Sequence, residues 1–372
     1  MTLIRDAGRP LAGKRVALVF GPGNVAIDYA AALVRGPERA LLELGASVDT
    51  FTFSHYLDAI VAYARDRPPH GLRYPEGSPL PRGLVDFFES GGPYDLTLAY
   101  FYDIYLTPSV VETLRRRGGR LVNYPLNLLD QSNHFADCLA LFDETWCAEE
   151  DALALLSERF PRKLRYVPMA SDPWIFRPLG EPARPRLLFV GSAYADRAEQ
   201  LARCAEVIPT TVSGSGFDLL GVVRGLGRRL VRDHHLVPPL AAAGMVASAL
   251  RRDRRPIGDE HYVRLAAQHG VSVGFSDVKQ ETTGRIVHKV RLREYDATMT
   301  GQCHLARRLP ELQRHFEEGR EILLYDDPSE LPGLLRRIVG GELDWRAIGR
   351  AARARAAAEH TWTVRFREAL KE

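Results

Sequence analysis

The sequence predicts an α/β protein that consists of two doubly wound domains. Short apolar runs alternate with stretches of helical spacing, and this pattern stops at a proline-rich segment and then starts again. The length of 372 residues also exceeds what one ordinary hydrophobic core needs. With 45% apolar and 26% charged residues, the chain has the composition of a globular protein.

The first predicted domain covers residues 1–178. It opens with the apolar run KRVALVF (14–20), and a helical stretch and the run SVDTFTF (47–53) follow as a strand–helix–strand unit. Further buried strands are predicted within YDLTLAYFYD (94–103) and GRLVNYPLNLLD (119–130). Strands that alternate with helices favour a parallel sheet.

The proline-rich segment DPWIFRPLGEPARPR (172–186) is predicted to link the domains. The second domain, 179–355, restarts with RLLFVGSAYADR, and strands are predicted at TTVSGSG (210–216), VSVGFSD (271–277) and EILLYDD (321–327). The stretch HKVRLREYDATMTG is predicted to be a helix, and residues 356–372 a final one.

Composition excludes several classes of protein. A formal net charge of only +3 argues against a nucleic-acid-binding protein. The four cysteines have no metal-ligand spacing and fit buried thiols in a reducing compartment (Cys138, Cys147, Cys204 and Cys303). The sequence lacks a signal-peptide pattern and an apolar run long enough to span a bilayer, so we expect a cytoplasmic protein.

The arginine-rich segment 221–256 has two interpretations. It is either a solvated helical excursion or an amphipathic surface that makes weak contact with anionic lipid or a partner.

The turn after the first strand is a candidate ligand loop. Gly21 and Gly23 would let backbone approach a ligand, and Asn24 could cap the next helix, although a plain turn explains the same residues. The turn is not GxGxxG, which disfavours a nicotinamide-dependent dehydrogenase.

The second domain contains a candidate phosphate site. Gly191 and Ser192 follow a strand and are predicted to open a helix whose amides would suit a phosphate, and Arg197 could reach the same anion. Ligands of open α/β sheets bind at this carboxyl edge.

Three further residues have a spacing that suits a nucleotide. Lys289, Arg293 and Asp296 would share one helix face, where the two cations could hold a diphosphate and the carboxylate a ribose diol. The alternative is a solvated face on which Arg293 and Asp296 form a surface pair.

Several ordered motifs resemble one family. The segment that begins KVRLREYDATMTGQ, the ending GRAARARAAAEHTWTVRF and the motifs FVGSAYADR and DPWIFRP are similar to those of the bacterial spore-maturation (CgeB-like) glycosyltransferases. The resemblance covers roughly residues 94–372.

The resemblance implies a GT-B architecture of two facing Rossmann-like domains, with the last helix returning to the first domain. It implies a metal-independent hexosyltransferase without a cofactor. The donor would be a UDP-, GDP- or dTDP-linked sugar held mainly by the second domain, and kinship favours retention at the anomeric carbon. The chain departs from related enzymes because His288 and Asp296 stand where those enzymes carry two glutamates.

Candidate catalytic groups are Asp130, which could serve as a general base, and His288, which could contact the donor sugar or diphosphate. Asp103 lies at another predicted strand end of the acceptor-side domain, and His134 lies in the same stretch as Asp130. For Asp130, capping of the helix that follows is the alternative explanation. Two other functions stay open. They are a catalytically silent GT-B binding or scaffold protein of carbohydrate assembly, and a nucleotide-sugar epimerase.

Overall fold

The computed structural model describes seven stretches of the chain, which are residues 9–20, 30–65, 73–160, 163–180, 184–194, 196–217 and 258–371. The chain divides into two compact units. Unit 1 combines Met1–Ala170, Asp277–Lys289 and Thr361–Glu372, and unit 2 combines Ser171–Ser276 and Val290–His360.

Unit 1 contains a six-stranded sheet in which all neighbouring strands are parallel. Its strands are β1 (Arg15–Val19), β2 (Ser47–Thr50), β3 (Leu96–Ala99), β4 (Arg120–Asn123), β5 (Glu144–Cys147) and β6 (Leu164–Tyr166), in the order β2-β1-β3-β4-β5-β6. In the described residues up to 170, its helices are α1 (Ala30–Glu43), α2 (Leu57–Arg65), α3 (Pro79–Gly91), α4 (Pro108–Arg117), α5 (Ala136–Leu141) and α6 (Glu150–Ser157). Short 3₁₀ turns cover Phe53–Tyr56, Asp103–Tyr105 and Ser132–His134.

Unit 2 contains a five-stranded parallel sheet. Its strands are β7 (Arg186–Val190), β8 (Thr210–Ser213), β9 (Gly270–Val273), β12 (Cys303–Arg307) and β13 (Leu323–Tyr325), in the order β13-β12-β9-β7-β8. Its helices are α7 (Arg197–Ala205), α8 (Asp259–His269), α9 (Leu292–Met299), α10 (Pro310–His315), α11 (Leu331–Val339) and α12 (Trp345–Glu359), and Pro328–Glu330 is a 3₁₀ turn.

The two sheets share one topology. Numbered within its own sheet, each has the strand order 2-1-3-4-5, and unit 1 adds a sixth strand. This is a doubly wound arrangement, in which the chain reverses direction between strands 1 and 3 and ligands bind at the carboxyl ends of the strands. The predicted fold class, two Rossmann-like sheets of parallel strands, is confirmed.

An antiparallel hairpin returns to unit 1 from a distant part of the sequence. Strands β10 (Asp277–Lys279) and β11 (Ile286–His288) form it, with Asp277 opposite His288. Side-chain and backbone bonds attach it to the loop after β4, because Gln280 Nε2 donates to Leu129 O at 3.0 Å and the Glu281 amide donates to Asp130 O at 2.9 Å.

The final helix, α13 (Trp362–Ala369), also belongs to unit 1. Its Phe366 ring is fully buried and lies 5.6 Å from the Trp146 ring and 6.4 Å from the Tyr124 ring. Thr361 caps the helix by accepting a hydrogen bond from the Val364 amide. A returning last helix is part of the fold class that the sequence predicts.

Helix α9 is shorter than predicted. We expected it to begin at His288, but residues 286–288 form a strand and Arg291 has an extended backbone, with φ −114° and ψ 159°. Glu294 fixes the start because its Oε2 accepts from the Arg291 amide at 2.8 Å, as in a capping box. The prediction that Lys289, Arg293 and Asp296 share one helix face is therefore wrong.

The domain limits drawn from the sequence remain a prediction. The two compact units have their boundaries at other positions. The chain passes between units at 170/171, 276/277, 289/290 and 360/361, and the return of 277–289 to unit 1 has no counterpart in the limits drawn from the sequence.

Candidate functional site

The carboxyl edge of the unit 2 sheet holds the cation Arg293, whose side chain is half-buried. The Arg293 guanidinium lies over the Phe189 ring, 5.0 Å from its centroid, and its Nη1 is buried without a hydrogen-bond partner in the described part of the chain. Gly191 makes room for it, because a Cβ there would lie 2.6 Å from Arg293 Nη2. Two of the predicted donor-binding residues therefore meet at the topological switch point, directly after β7.

The loop after β7 is bound to the loop after β8. The Gly191 amide donates to Ser213 O at 2.9 Å, and the Ala193 amide donates to Ser215 O at 2.9 Å. The Ser192 amide is thus the one of the Gly191–Ser192 pair that a phosphate could meet. Helix α7 begins only at Arg197, so the expectation that Gly191 and Ser192 open the helix is wrong.

Arg197 lies close to this loop. Its side chain is buried, and its guanidinium is 5.3 Å from the Tyr194 ring centroid and 5.9 Å from that of Phe275. Nη1 donates to Ser192 O at 3.4 Å. Arg197 and Ser192, both predicted donor contacts, are therefore neighbours.

Three polar residues near Arg293 were not singled out from the sequence. They are Ser272, Glu294 and His304. His304 is fully buried, its Nδ1 is 2.8 Å from Ser272 Oγ, and its Nε2 lacks a hydrogen-bond partner among the described residues. Burial and the positive charge of Arg293 lower the pKa of His304 to about 3, so the ring is neutral. A histidine within an apolar strand would have been the signal for this site, but strand Cys303–Arg307 was not predicted.

Glu294 is the neighbouring carboxyl. Burial raises its pKa above the usual value, while Arg293 acts in the opposite direction. Its Oε1 occupies space that a Cβ on Gly274 would need, since the separation would be 2.6 Å. Glu294 is therefore a buried carboxyl group whose pKa is set by two opposing influences, burial and the charge of Arg293.

Asp296 is fully buried in helix α9. Its Oδ1 accepts a hydrogen bond from Ser171 Oγ at 2.7 Å, within unit 2. Together with burial, its charge raises the pKa of the Tyr262 hydroxyl. The predicted contact of Asp296 with a ribose remains a prediction.

Lys289 belongs to unit 1, whereas Arg293 and Asp296 belong to unit 2. Its ammonium is buried among four oxygen atoms, which are Asp130 Oδ1 at 2.6 Å, Asn127 Oδ1 at 2.9 Å, Glu149 Oε1 at 3.0 Å and Leu126 O at 3.2 Å. The structure therefore brings together two residues for which we predicted separate roles, Lys289 for the diphosphate and Asp130 as base.

Asp103 and His288 have local partners as well. Asp103 Oδ1 accepts from the Cys138 amide at 2.8 Å, near the start of α5, and burial raises the pKa of this carboxyl. His288 Nδ1 lies 3.2 Å from Asp277 Oδ1 across the hairpin. Asp103 thus accepts a hydrogen bond from the first turn of α5, while Thr107 caps α4, the helix that follows Asp103.

A second histidine–carboxylate pair lies after β4. His134 Nε2 is 2.7 Å from Glu281 Oε2, and Gln131 Nε2 donates to Glu281 Oε1 at 3.2 Å. The side chains of His134 and Glu281 are 18% and 35% exposed, against 10% for Asp130, so solvent reaches this pair more readily. Glu281 is 147 positions from His134 in sequence, which is why spacing alone could not reveal it.

Two predicted features lie outside the described residues. They are the acceptor-side loop with Gly21, Gly23 and Asn24, and the basic segment 221–256. Within the described ranges no helix is long and apolar enough to cross a membrane. The same ranges contain no cluster of three or more His, Cys, Asp or Glu side chains placed to hold a metal ion.

Comparison with known proteins bears on this geometry. Residues 223–371 match the model of the glycosyl transferase-like family. No curated protein sequence matches the chain.

Three solved structures resemble the whole chain. A sucrose-phosphate synthase from Thermosynechococcus elongatus is 17% identical over 96% of this chain and 97% of its own, with a TM-score of 0.58. HepE from Anabaena, solved in complex with UDP and glucose, is 14% identical over 96% and 98%, with a TM-score of 0.60. AviGT4, a glycosyltransferase involved in avilamycin A biosynthesis, is 13% identical over 96% and 96%, with a TM-score of 0.57. At such identities the likeness shows the fold alone, which is the GT-B fold of two Rossmann-like sheets.

Proposed function

We propose that the chain is a hexosyltransferase that moves a sugar from a nucleotide diphosphate to a hydroxyl group of an acceptor, without a metal ion. The family match and the GT-B fold support glycosyl transfer. HepE was solved with UDP and glucose, which supports a nucleotide-linked donor here. The motifs described above favour the CgeB-like branch, and four buried, unpaired cysteines favour a reducing, cytoplasmic compartment.

The observation that carries the proposal is Nη1 of Arg293, which is buried near the Gly191 turn without a hydrogen-bond partner among the described residues. A buried donor atom of a charged group is costly to leave without a hydrogen bond, so Nη1 points to a place where an anion could bind. A diphosphate would supply two or more oxygens to Arg293, with Arg197 and the Ser192 amide beside it. We therefore assign the diphosphate to Arg293 rather than to Lys289, whose charge already meets two carboxylates.

The same residues would act in the chemical step. When the glycosidic bond to the diphosphate breaks, negative charge grows on the leaving oxygens. A fixed guanidinium stabilises that charge more than it stabilises the bound donor, and loss of one such group costs about 3 kcal/mol of barrier.

The test is a binding screen with UDP-, GDP- and dTDP-linked hexoses, followed by thermal unfolding. A bound donor should raise the melting temperature of the wild-type protein. Arg293→Ala should bind that donor roughly 10- to 150-fold more weakly, because a charge-assisted hydrogen bond contributes about 1.5–3 kcal/mol.

Arg264→Ala is the matched control. Arg264 is an exposed arginine on α8, paired with Glu260 in the same helix, and its loss should leave donor affinity unchanged. If no nucleotide sugar stabilises the wild-type protein, the proposed function fails. If Arg293→Ala binds as well as wild type, the site assignment fails.

The burial of Asp296 favours a second candidate, a GT-B protein that binds without catalysis. An acid that already accepts from Ser171 is less available to a ribose than an open carboxylate. Donor binding without release of nucleotide would support this candidate. Release of nucleotide without a glycosylated product would instead support an epimerase-type or hydrolytic reaction.

Retention at the anomeric carbon is the outcome that the resemblance implies. It stays a prediction, and the configuration of the released or transferred sugar tests it.

A further inference from the structure

The amino edge of the unit 2 sheet borders a cavity of about 140 Å³. Its lining includes Gly270, the first residue of β9, and Gln302, which directly precedes β12. Gly270 pairs with Arg186 at the start of β7, whereas Gly191 follows the last residue of that strand. The length of β7 therefore separates this cavity from the turn at Gly191.

Two glycines let helix α12 pack closely against this edge. Gly301 has φ +82°, a conformation that favours glycine, and it turns the chain from α9 towards β12. A Cβ on Gly349 of α12 would lie 2.2 Å from Gly301 O. The helix is thus in direct contact with the turn, and its side chains form one wall of the cavity.

That wall carries three arginines. Arg346, Arg350 and Arg353 all line the cavity, and their spacing of i, i+4 and i+7 places them on one face of α12. The Arg346 guanidinium lies 4.2 Å from the centroid of the buried Trp345 ring, which holds it in place. Like charges at this spacing weaken a helix, whereas an anion that contacts all three would be attracted by each of them.

Arg353 is the most strongly fixed of the three. Its side chain is half-buried, and Nη1 donates to Met299 O at 2.7 Å and to Phe176 O at 3.2 Å, while Nη2 lies 3.5 Å from Pro173 O. Burial lowers the pKa of this guanidinium, and across the described ranges no Asp or Glu forms an ion pair with it. The carbonyl groups orient Arg353 but leave its full positive charge, and a guanidinium has five N–H groups to donate.

The size and charge of the cavity favour a phosphate group. Liquid water occupies about 30 Å³ per molecule, so the cavity has room for about five heavy atoms, the number in phosphate. Guanidinium groups match phosphate oxygens in pairs, and three of them together suit a dianion. The nearby acid Asp344 caps α12, where its Oδ1 accepts from the amides of Arg346 at 3.1 Å and Ala347 at 3.0 Å.

We propose that this cavity binds the phosphate group of a small molecule, at a place distinct from the donor turn at Gly191 and Arg293. Arg346, Arg350 and Arg353 hold the phosphate oxygens. Both inorganic phosphate and a phosphomonoester have this chemistry. Because Arg350, Pro178 and Gly180 are exposed where they line the cavity, the remainder of an ester has a path to solvent.

The experiment is isothermal titration calorimetry of the whole chain in phosphate-free buffer at constant ionic strength. The probes are inorganic phosphate, glycerol 3-phosphate and acetate. We expect the phosphates to bind and acetate to bind much more weakly, because a carboxylate has fewer oxygens and one charge. Arg293→Ala, which alters the donor turn, should keep the wild-type affinity for the phosphates.

Two variants probe the arginines. The double variant Arg346→Ala with Arg350→Ala should bind phosphate roughly 10-fold more weakly, because two partly exposed charges are lost. Arg353→Met should bind roughly 10- to 150-fold more weakly, because it loses a charge-assisted hydrogen bond in a half-buried place. The double variant keeps the carbonyl bonds of Arg353, so it provides the test should Arg353→Met unfold.

Arg336→Ala is the matched control. Arg336 is an exposed arginine of unit 2 on α11 and does not line the cavity, so its loss should leave phosphate affinity unchanged. The melting temperature of each variant confirms that it folds.

Several results would overturn this inference without touching the proposed function, since no nucleotide sugar is present. They are a wild-type protein that binds neither phosphate, acetate that binds as tightly as phosphate, and affinity that falls in Arg293→Ala but not in the double variant. If the site is confirmed, tighter binding of glycerol 3-phosphate identifies a phosphomonoester as the ligand class, and tighter binding of inorganic phosphate identifies the free ion.

Discussion

At the residue scale, the ammonium of Lys289 has more acceptors than it has hydrogens to donate. Four oxygens surround its three N–H bonds, and two of these oxygens belong to carboxylates. The side chains of Lys289 and Glu149 are 1% and 2% exposed, so little solvent screens the charges. In such surroundings the attraction is strong, and losing one partner leaves a buried charge uncompensated.

We expect Lys289→Met to destabilise the protein by about 3–5 kcal/mol, because Asp130 and Glu149 would then repel each other in a buried site. Urea unfolding measures this loss. Lys14→Met is the control, since Lys14 and Asp95 form an exposed pair, and the control should lose far less. Equal losses in the two variants would show that the buried cluster contributes no more than a surface pair.

His304 gives a second prediction at this scale, in the pH dependence of stability. The pKa of His304 is about 3 in the folded protein, and the ordinary value is about 6.5. Below the ordinary value the unfolded chain binds a proton that the folded chain does not. Stability therefore falls as the pH drops from about 6.5 towards about 3, by about 1.4 kcal/mol for each pH unit.

Replacement of the ring should remove this contribution. Urea unfolding of His304→Gln at pH 6.0 and pH 5.0 should show a pH dependence smaller than that of wild type by about 1 kcal/mol. His55→Gln is the control, because His55 is exposed and the variant keeps His304. It should show the same pH dependence of stability as wild type. The same slope in all three proteins would contradict the burial of a neutral His304.

At the element scale, the last helix contributes aromatic surface to the core of unit 1. Trp362 and Phe366 lie on α13 with ring centroids 5.7 Å apart, and both are buried. Trp146 comes from β5, in the first half of the sequence, whereas the helix it packs on is the last element of the chain. Burial of large rings of this kind stabilises a fold through both area and close contact.

Phe366→Ala should therefore cost about 3–5 kcal/mol, because it removes a fully buried ring and leaves a cavity. Thermal or urea unfolding measures the change. Val339→Ala, on the last turn of α11, removes a side chain that is 53% exposed and should have a much smaller effect. A loss below about 1 kcal/mol for Phe366→Ala would mean that the helix is not part of a tightly packed core.

At the scale of the whole molecule, the fold was predictable because its signal is local. Apolar runs such as KRVALVF and RLLFV correspond to β1 and β7, and glycines follow both runs in the sequence. Strand Cys303–Arg307 was missed because His304 and the flanking arginines interrupt its apolar pattern. The start of α9 was missed because a capping box, rather than the hydrophobic period, sets it.

The candidate site was predictable only in part. Gly191, Ser192, Arg197 and Arg293 were recognised from residue type and position, and they meet at one edge of the unit 2 sheet. The partners of Lys289 could not be foreseen, because Asp130 and Glu149 are 159 and 140 positions away. Contacts at such separations depend on how the hairpin 277–289 returns to unit 1, and local patterning carries no information about that return.

The four passages of the chain between the units have a consequence for any attempt to exchange parts with a relative. No single cut yields a gene fragment that encodes either unit whole. A chimaera joined only near residue 171 would combine the hairpin and closing helix of one parent with the sheet of another, and the Lys289 cluster and the Trp362 contacts would then be mismatched. Recombination of unit 1 succeeds only if its three separate stretches are inherited from the same parent.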